Sequence, residues 1–193
     1  MAKNKVSTLL FAGVVLGAIA LVSGCSVNVK KQDNGQDKQV DINTLVGGIH
    51  VSKQADVSDV GIAVYPGARI KEKDSDGSDK SANVNISGFG YGLKVVALTY
   101  ETDDSTAKVL AYYRDQLKKY GNVLECHTSR GNWNMNMGKR GSNELTCEGS
   151  GGSEIELKVG RQDEQHIVAV EPAGKGSSFS LVYVRTHGKD ADI

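Results

Sequence analysis

Residues 93–121 read LKVVALTYETDDSTAKVLAYYRDQLKKYG, and this stretch decides the expected fold. Val95, Val96, Ala97 and Leu98 are consecutive apolar residues inside a run rich in β-branched and aromatic types. Such a run fits a strand buried on both faces, and so a central position in a sheet. Asp103 and Asp104 follow, suited to cap a helix and to sit at its positive N-terminus. Leu110, Tyr113, Leu117 and Tyr120 then recur at helical spacing and form one apolar stripe. Lys118 and Lys119 fall in the last turn and Gly121 supplies a stop. The spacing predicts a helix over 104–120 whose stripe covers a sheet.

Outward from this stretch the pattern is β. Downstream, short alternating segments at 123–128, 144–148, 154–159, 166–171 and 179–186 are separated by turns such as Gly149-Ser-Gly-Gly152. Upstream, Ile62 to Tyr65 reads as a short strand closed by Pro66-Gly67, and Arg69 to Lys73 as a charged edge strand. Val84 and Ile86 alternate with polar residues. Val27 and Val29, then Val40 and Ile42 beyond an Asn-Gly turn, read as a hairpin, with Ile49 and Val51 as a third piece. The expected fold class is α+β: an antiparallel β-sheet packed on one long α-helix, with a small N-terminal β-hairpin unit. The expected organisation is an N-terminal leader over 1–24, the β unit over 25–51 and a linker over 52–60. The main domain follows over 61–186 and a polar tail over 187–193.

The leader carries an address. Lys3 and Lys5 precede an almost wholly apolar run from Val6 to Val22, which ends in Val22-Ser-Gly-Cys25. Small residues before a cysteine resemble the lipobox of bacterial lipoproteins. In that class the thiol receives a diacylglycerol, palmitate-type acyl chains follow, and the chain is cut just before the cysteine. The competing reading is an uncleaved N-terminal helix, since the run is about long enough to span a bilayer. Ser26 after the cysteine, in place of Asp, implies export to the outer membrane of a two-membrane cell. The expected localisation is therefore the cell envelope, lipid-anchored at Cys25 on the outer membrane and facing the periplasm.

Length and charge bound the rest. The chain has 193 residues with 23 basic and 23 acidic side chains. Removal of 1–24 takes away Lys3 and Lys5 and no acidic residue, which leaves a formal charge of −2. This balance excludes a strongly basic nucleic-acid binder as the default, and no nucleic-acid partner is expected. Besides Cys25 the cysteines are Cys126 and Cys147. In an oxidising compartment an even pair usually bonds, closing a loop worth about 3 kcal/mol. Two free thiols or a catalytic pair is the rival reading, although no Cys-x-x-Cys spacing is present.

Gln39-Val-Asp-Ile42, Val64-Tyr-Pro-Gly-Ala68, Ser81-Ala-Asn-Val-Asn85, Leu93-Lys-Val-Val-Ala97, Tyr112-Tyr-Arg-Asp115, Leu124-Glu-Cys126, His166-Ile-Val-Ala-Val-Glu-Pro172 and Leu181-Val-Tyr-Val-Arg-Thr186 together resemble a family of bacterial, acidobacterial-type secreted proteins and lipoproteins. The Tyr-Pro-Gly-Ala turn, followed by a helix with paired aromatics, is its most distinctive feature. The family has no assigned activity. The resemblance implies a compartment and a shared fold, and transfers no catalytic residue.

Motifs that would demand chemistry are missing from the sequence. His50, His127, His166 and His187 form no His-x₃-His or Glu-x-x-His pattern. Asp74, Asp76 and Asp79 do not match an EF-hand loop, and Gly88-Phe-Gly-Tyr-Gly92 is not a phosphate loop. Trp133, Met135 and Met137 fall on one parity of a Gly- and Asn-rich segment, opposite Asn132, Asn134 and Asn136. Thioethers near His127 suggest Cu(I), but two methionines and one histidine are too few for a metal site. Trp and Met are enriched at interfaces, so these three residues are the interaction candidates. No cofactor, metal or catalytic residue is expected. The expected function is a lipid-anchored envelope protein with a non-catalytic binding domain, its partner an envelope protein or small ligand. The alternatives are an envelope hydrolase with a site assembled from distant residues, and a small-ligand or metal carrier.

Overall fold

The computed structural model describes residues 26–31, 38–44, 46–52, 55–71, 81–128, 143–147 and 151–187. The elements in chain order are β1 (Ser26–Lys31), β2 (Lys38–Thr44), β3 (Gly47–Ser52), a single helical turn α1 (Val57–Val60), β4 (Arg69–Ile70), β5 (Ser81–Gly88), β6 (Tyr91–Thr102), α2 (Thr106–Leu117) with a 3-10 turn over Lys118–Tyr120, β7 (Leu124–Thr128), β8 (Glu154–Arg161), β9 (Glu164–Ala173) and β10 (Gly176–His187). The strands form one antiparallel sheet in the order β1-β2-β3-β5-β6-β10-β9-β8-β7. Long β6 pairs with β10 along one edge; along the other it pairs first with β5, then with β4 at Glu101 and Tyr100.

The α+β expectation is overturned. Among the described residues 59% are strand and 15% helical, which is an all-β fold. The physical reason is size. A helix of 12 residues is about 18 Å long and 10 Å wide, whereas nine strands side by side span about 38 Å. α2 lies chiefly against β8, β9 and β10. Nor is the N-terminal hairpin a separate unit, because β3 pairs with β5 over six residue pairs and extends the same sheet.

On the face that carries the helix, Val96, Leu98, Phe179, Leu181, Val168 and Leu157 meet Val109, Leu110, Tyr113 and Leu117 of α2. Leu110, Tyr113 and Leu117 of the stripe read from the sequence are buried, with Val109 added, while Tyr120 falls in the 3-10 turn and is only partly buried. The helix starts differently from expectation. Its N-cap is Ser105, which makes no side-chain capping bond. Asp104 instead accepts from Lys108 Nζ at 2.7 Å and from the Tyr65 hydroxyl at 2.9 Å. These two bonds hold its carboxyl below the usual range.

Two expected strands are absent. Ile62 to Tyr65 has strand-like alternation, but tyrosine side chains take its backbone groups. The Tyr65 amide donates to the Tyr113 hydroxyl at 2.9 Å, and the Tyr112 hydroxyl donates to the Val64 carbonyl at 3.4 Å. Pro66 and Gly67 close a turn in which the Ala68 amide donates to the Tyr65 carbonyl, with Gly67 at φ 76°. That positive φ explains the glycine. The Tyr-Pro-Gly-Ala turn is therefore a clamp of loop to helix. Residues 143–147 also lie outside any strand; Gln162 binds the carbonyls of Asn143 and Glu144.

Candidate interaction surface

The second face of the sheet is apolar across most of its width. Residues in register across neighbouring strands share a face. One row runs Val27, Ile42, Ile49, Ile86, Leu93. The next runs Val40, Val51, Val84, Val95, Val184. A third runs Ala82, Ala97, Val182, Ile167. On the helix-side face the same strands place Asn28, Asp41, His50, Asn85 and Lys94 in one row. There His50 Nδ1 lies 2.5 Å from Asp41, and Lys94 pairs with Asp59 at 3.3 Å.

Cover is uneven along the apolar face. Ile167, Val182 and Val184 are buried and pack with Leu93, Val95 and Ala97, all of them from strands of this one sheet. Towards β1 exposure climbs, to 38% at Ile86 and Ile49 and 64% at Val27. The apolar residues of α1 and α2 belong to the other cluster. An exposed row of large aliphatic residues next to a buried cluster is the kind of patch that a binding partner covers.

One end of the sheet carries a second apolar feature. The β2–β3 and β5–β6 connections lie side by side, and the Phe89 amide donates to the Val46 carbonyl at 3.1 Å. A Cβ at Gly47 would fall 2.1 Å from the Ser87 carbonyl oxygen, so only glycine lets the two tips approach. Val46 is 51% exposed, Phe89 74% and Tyr91 61%.

The polar groups are arranged for structure. Ser177 Oγ donates to the Asp104 carbonyl, Thr99 and Ser180 share a hydrogen bond, and Ser58 Oγ donates to Asp56. His166 stacks on Tyr120 at 4.3 Å and leans on Tyr183 at 5.1 Å. Burial there pushes its imidazole down, so it is neutral near pH 7. Two tyrosine rings flanking an imidazole are a packing arrangement rather than a nucleophile and base pair. No group of three His, Cys, Asp or Glu side chains among the described residues is placed to hold a metal ion.

Of the residues singled out in the sequence, Cys126 and Cys147 are joined in a disulfide with Cα atoms 5.3 Å apart. Cys126 is buried in β7, while Cys147 lies in the strandless 143–147 segment, so the bond does not link two neighbouring strands. Cys25, Trp133, Met135 and Met137 lie outside the described residues, as do Asp74, Asp76 and Asp79. Sequence reasoning overlooked the apolar face. Its signal was present: Val27/Val29, Val40/Ile42, Ile49/Val51 and Val84/Ile86 are four pairs of one parity, each opposite polar neighbours. Comparison of the chain with protein families, curated proteins and solved structures finds no match.

Proposed function

We propose that this chain is a lipid-anchored cell-envelope protein whose domain binds a partner and catalyses no reaction. The observation that carries the binding role is the exposed row Val27–Ile49–Ile86, which continues a buried apolar face and has no covering element among the described residues. The anchoring part rests on Val22-Ser-Gly-Cys25. In this reading Cys25 is the first residue of the mature chain, and β1 begins one residue later. The domain is then held against the membrane with no tether. Several acyl chains, at about 0.8 kcal/mol per buried CH₂, make such anchoring lasting. No helix among the described residues is long and apolar enough to cross a membrane. The resemblance to acidobacterial-type lipoproteins points to the same compartment.

The test combines mass and contact. Protein extracted from outer-membrane fractions should show an acyl mass at Cys25. A photo-crosslinking residue at Ile49 or Ile86 should capture one discrete species in intact envelopes, and the same residue at exposed Lys175 should not. Ile86→Lys should abolish capture through the probe at 49, and Ile49→Lys capture through the probe at 86, each leaving the melting temperature nearly unchanged, since both side chains are already partly in water. Absence of acyl mass removes the anchor. Equal crosslinking at all three positions removes the binding face.

A further inference from the structure

We propose that the end of the sheet bearing Val46, Phe89 and Tyr91 seats in the interfacial zone of the lipid bilayer, with the strands running away from the membrane. This rests on the lipid-anchor reading and goes beyond it by fixing which surface meets the lipid. Three observations support it.

The first is position. Ser26 pairs with Asn43 at the end of β2 that leads into the Val46 tip. Cys25 is one peptide unit from Ser26, about 3.8 Å between Cα atoms. The Phe89 tip closes β5, three strand spacings from β1 in the sheet order, or about 14 Å. Acyl chains at Cys25 and the side chains of Val46, Phe89 and Tyr91 would share one rim. An anchor at that distance keeps the rim within constant reach of the bilayer, ahead of any second copy of the chain.

The second is chemistry. The sequence over 43–48 and 87–92, which contains the two tips, holds no Asp, Glu, Lys, Arg or His. At the same end β10 brings His187 beside Gly92 and then Arg185, and past it Glu164, Asp163 and Arg161 make the surface a charged one. An uncharged rim with an aliphatic, a Phe and a Tyr matches the level of the bilayer at which apolar ring and hydroxyl are both accommodated.

The third is strain. Phe89 has φ 53° and Gly90 φ 83°, so both central residues of this two-residue hairpin turn are left-handed. Asn, Asp or Gly favours the first of these positions, and a bulky residue there is disfavoured. Phe89 is also 74% exposed, so packing within the chain does not repay the conformation. A strained, exposed aromatic is a residue held for something outside the fold.

The full-length protein, reconstituted from membranes into zwitterionic phospholipid vesicles, provides the test. Phe89→Trp and Lys175→Trp, each in a Trp133→Phe background, place a single fluorophore at the two ends of the sheet. Lipids brominated near the top of the acyl chain should quench the probe at position 89 and leave the probe at 175 unaffected. The quenching should persist at about 1 M salt, where the Debye length is about 3 Å, because no charge takes part. Equal quenching at both positions, or none at 89 with self-association instead, overturns the proposal. Intact mass of the same sample reads the anchor separately. Acylated protein with an unquenched probe at 89 sinks the rim alone; unacylated protein with a quenched probe sinks the anchor and supports the rim. Phe89→Asn should leave the melting temperature equal or higher, and should make a probe at Tyr91→Trp shallower. A clear drop in melting temperature would show that Phe89 serves the fold, and would overturn the proposal as well.

Discussion

Glu156 and Lys158 lie two residues apart on β8, on the face away from the helix, with Nζ and carboxylate 3.1 Å apart. Both are buried. A buried pair contributes little net stability, but removing one partner strands the other charge away from water. Lys158→Ala should therefore cost about 3–5 kcal/mol in urea unfolding, whereas Glu156→Leu with Lys158→Met together should be near neutral or stabilising. A single variant that unfolds like wild type would show that the site is wetter than its burial indicates. His166 yields a pH signature. Its imidazole is lowered in the folded state, first by burial, then by Lys119, against a rise from Glu164. The unfolded chain therefore takes up this proton first as pH falls. Stability should decline from about pH 6.5, the ordinary histidine value, down through the lower folded value, and be flat above it. His166→Gln should flatten that slope. An unchanged slope would assign it to another group.

At the level of elements, β7 is the edge strand on the helix side of the sheet, with β8 as its ladder partner. The cystine ties it to the 143–147 segment. Enclosing a loop of this size constrains the unfolded chain by about 3 kcal/mol. Reduction, or Cys126→Ala with Cys147→Ala, should lower the unfolding midpoint accordingly. Amide exchange should quicken first over 124–128, because an edge strand opens locally before the centre does. A midpoint indifferent to reductant would mean that the bond adds nothing to β7. Element identity was largely readable beforehand. Val95–Leu98 read as a strand covered on both faces, and Val96 and Leu98 belong to one cluster while Val95 and Ala97 border the other. Leu110, Tyr113 and Leu117 read as the helix stripe and are buried. What escaped was the pairing of strands distant in sequence. Period-two alternation says that a segment has two faces, but not which segment lies beside it. Ile62 to Tyr65 shows the same limit from the other side, since only the fold reveals that Tyr112 and Tyr113 sit where a neighbouring strand would.

For the whole molecule, that limit changed the class of the fold. Helix length was visible in the sequence, but the width it had to cover was not, because width depends on β3 meeting β5 and β10 meeting β6. The candidate surface went unread for the same reason. Its valines and isoleucines are individually unremarkable and become a surface only when registered. The sheet order has one more consequence. β1 to β6 form one antiparallel set and β7 to β9 another, and β10, which follows all of them in the chain, is the strand lying between the two. Its partners in β6 lie some 75 to 95 residues upstream, from Ser177↔Thr102 to His187↔Gly92. During synthesis both sets can emerge and still have no common backbone ladder. A chain threaded through an export channel would thus stay divisible, and easily drawn out straight, until nearly all of it has passed. The last strand to arrive acts as a clasp, and closing it marks the moment at which the two sets become one object.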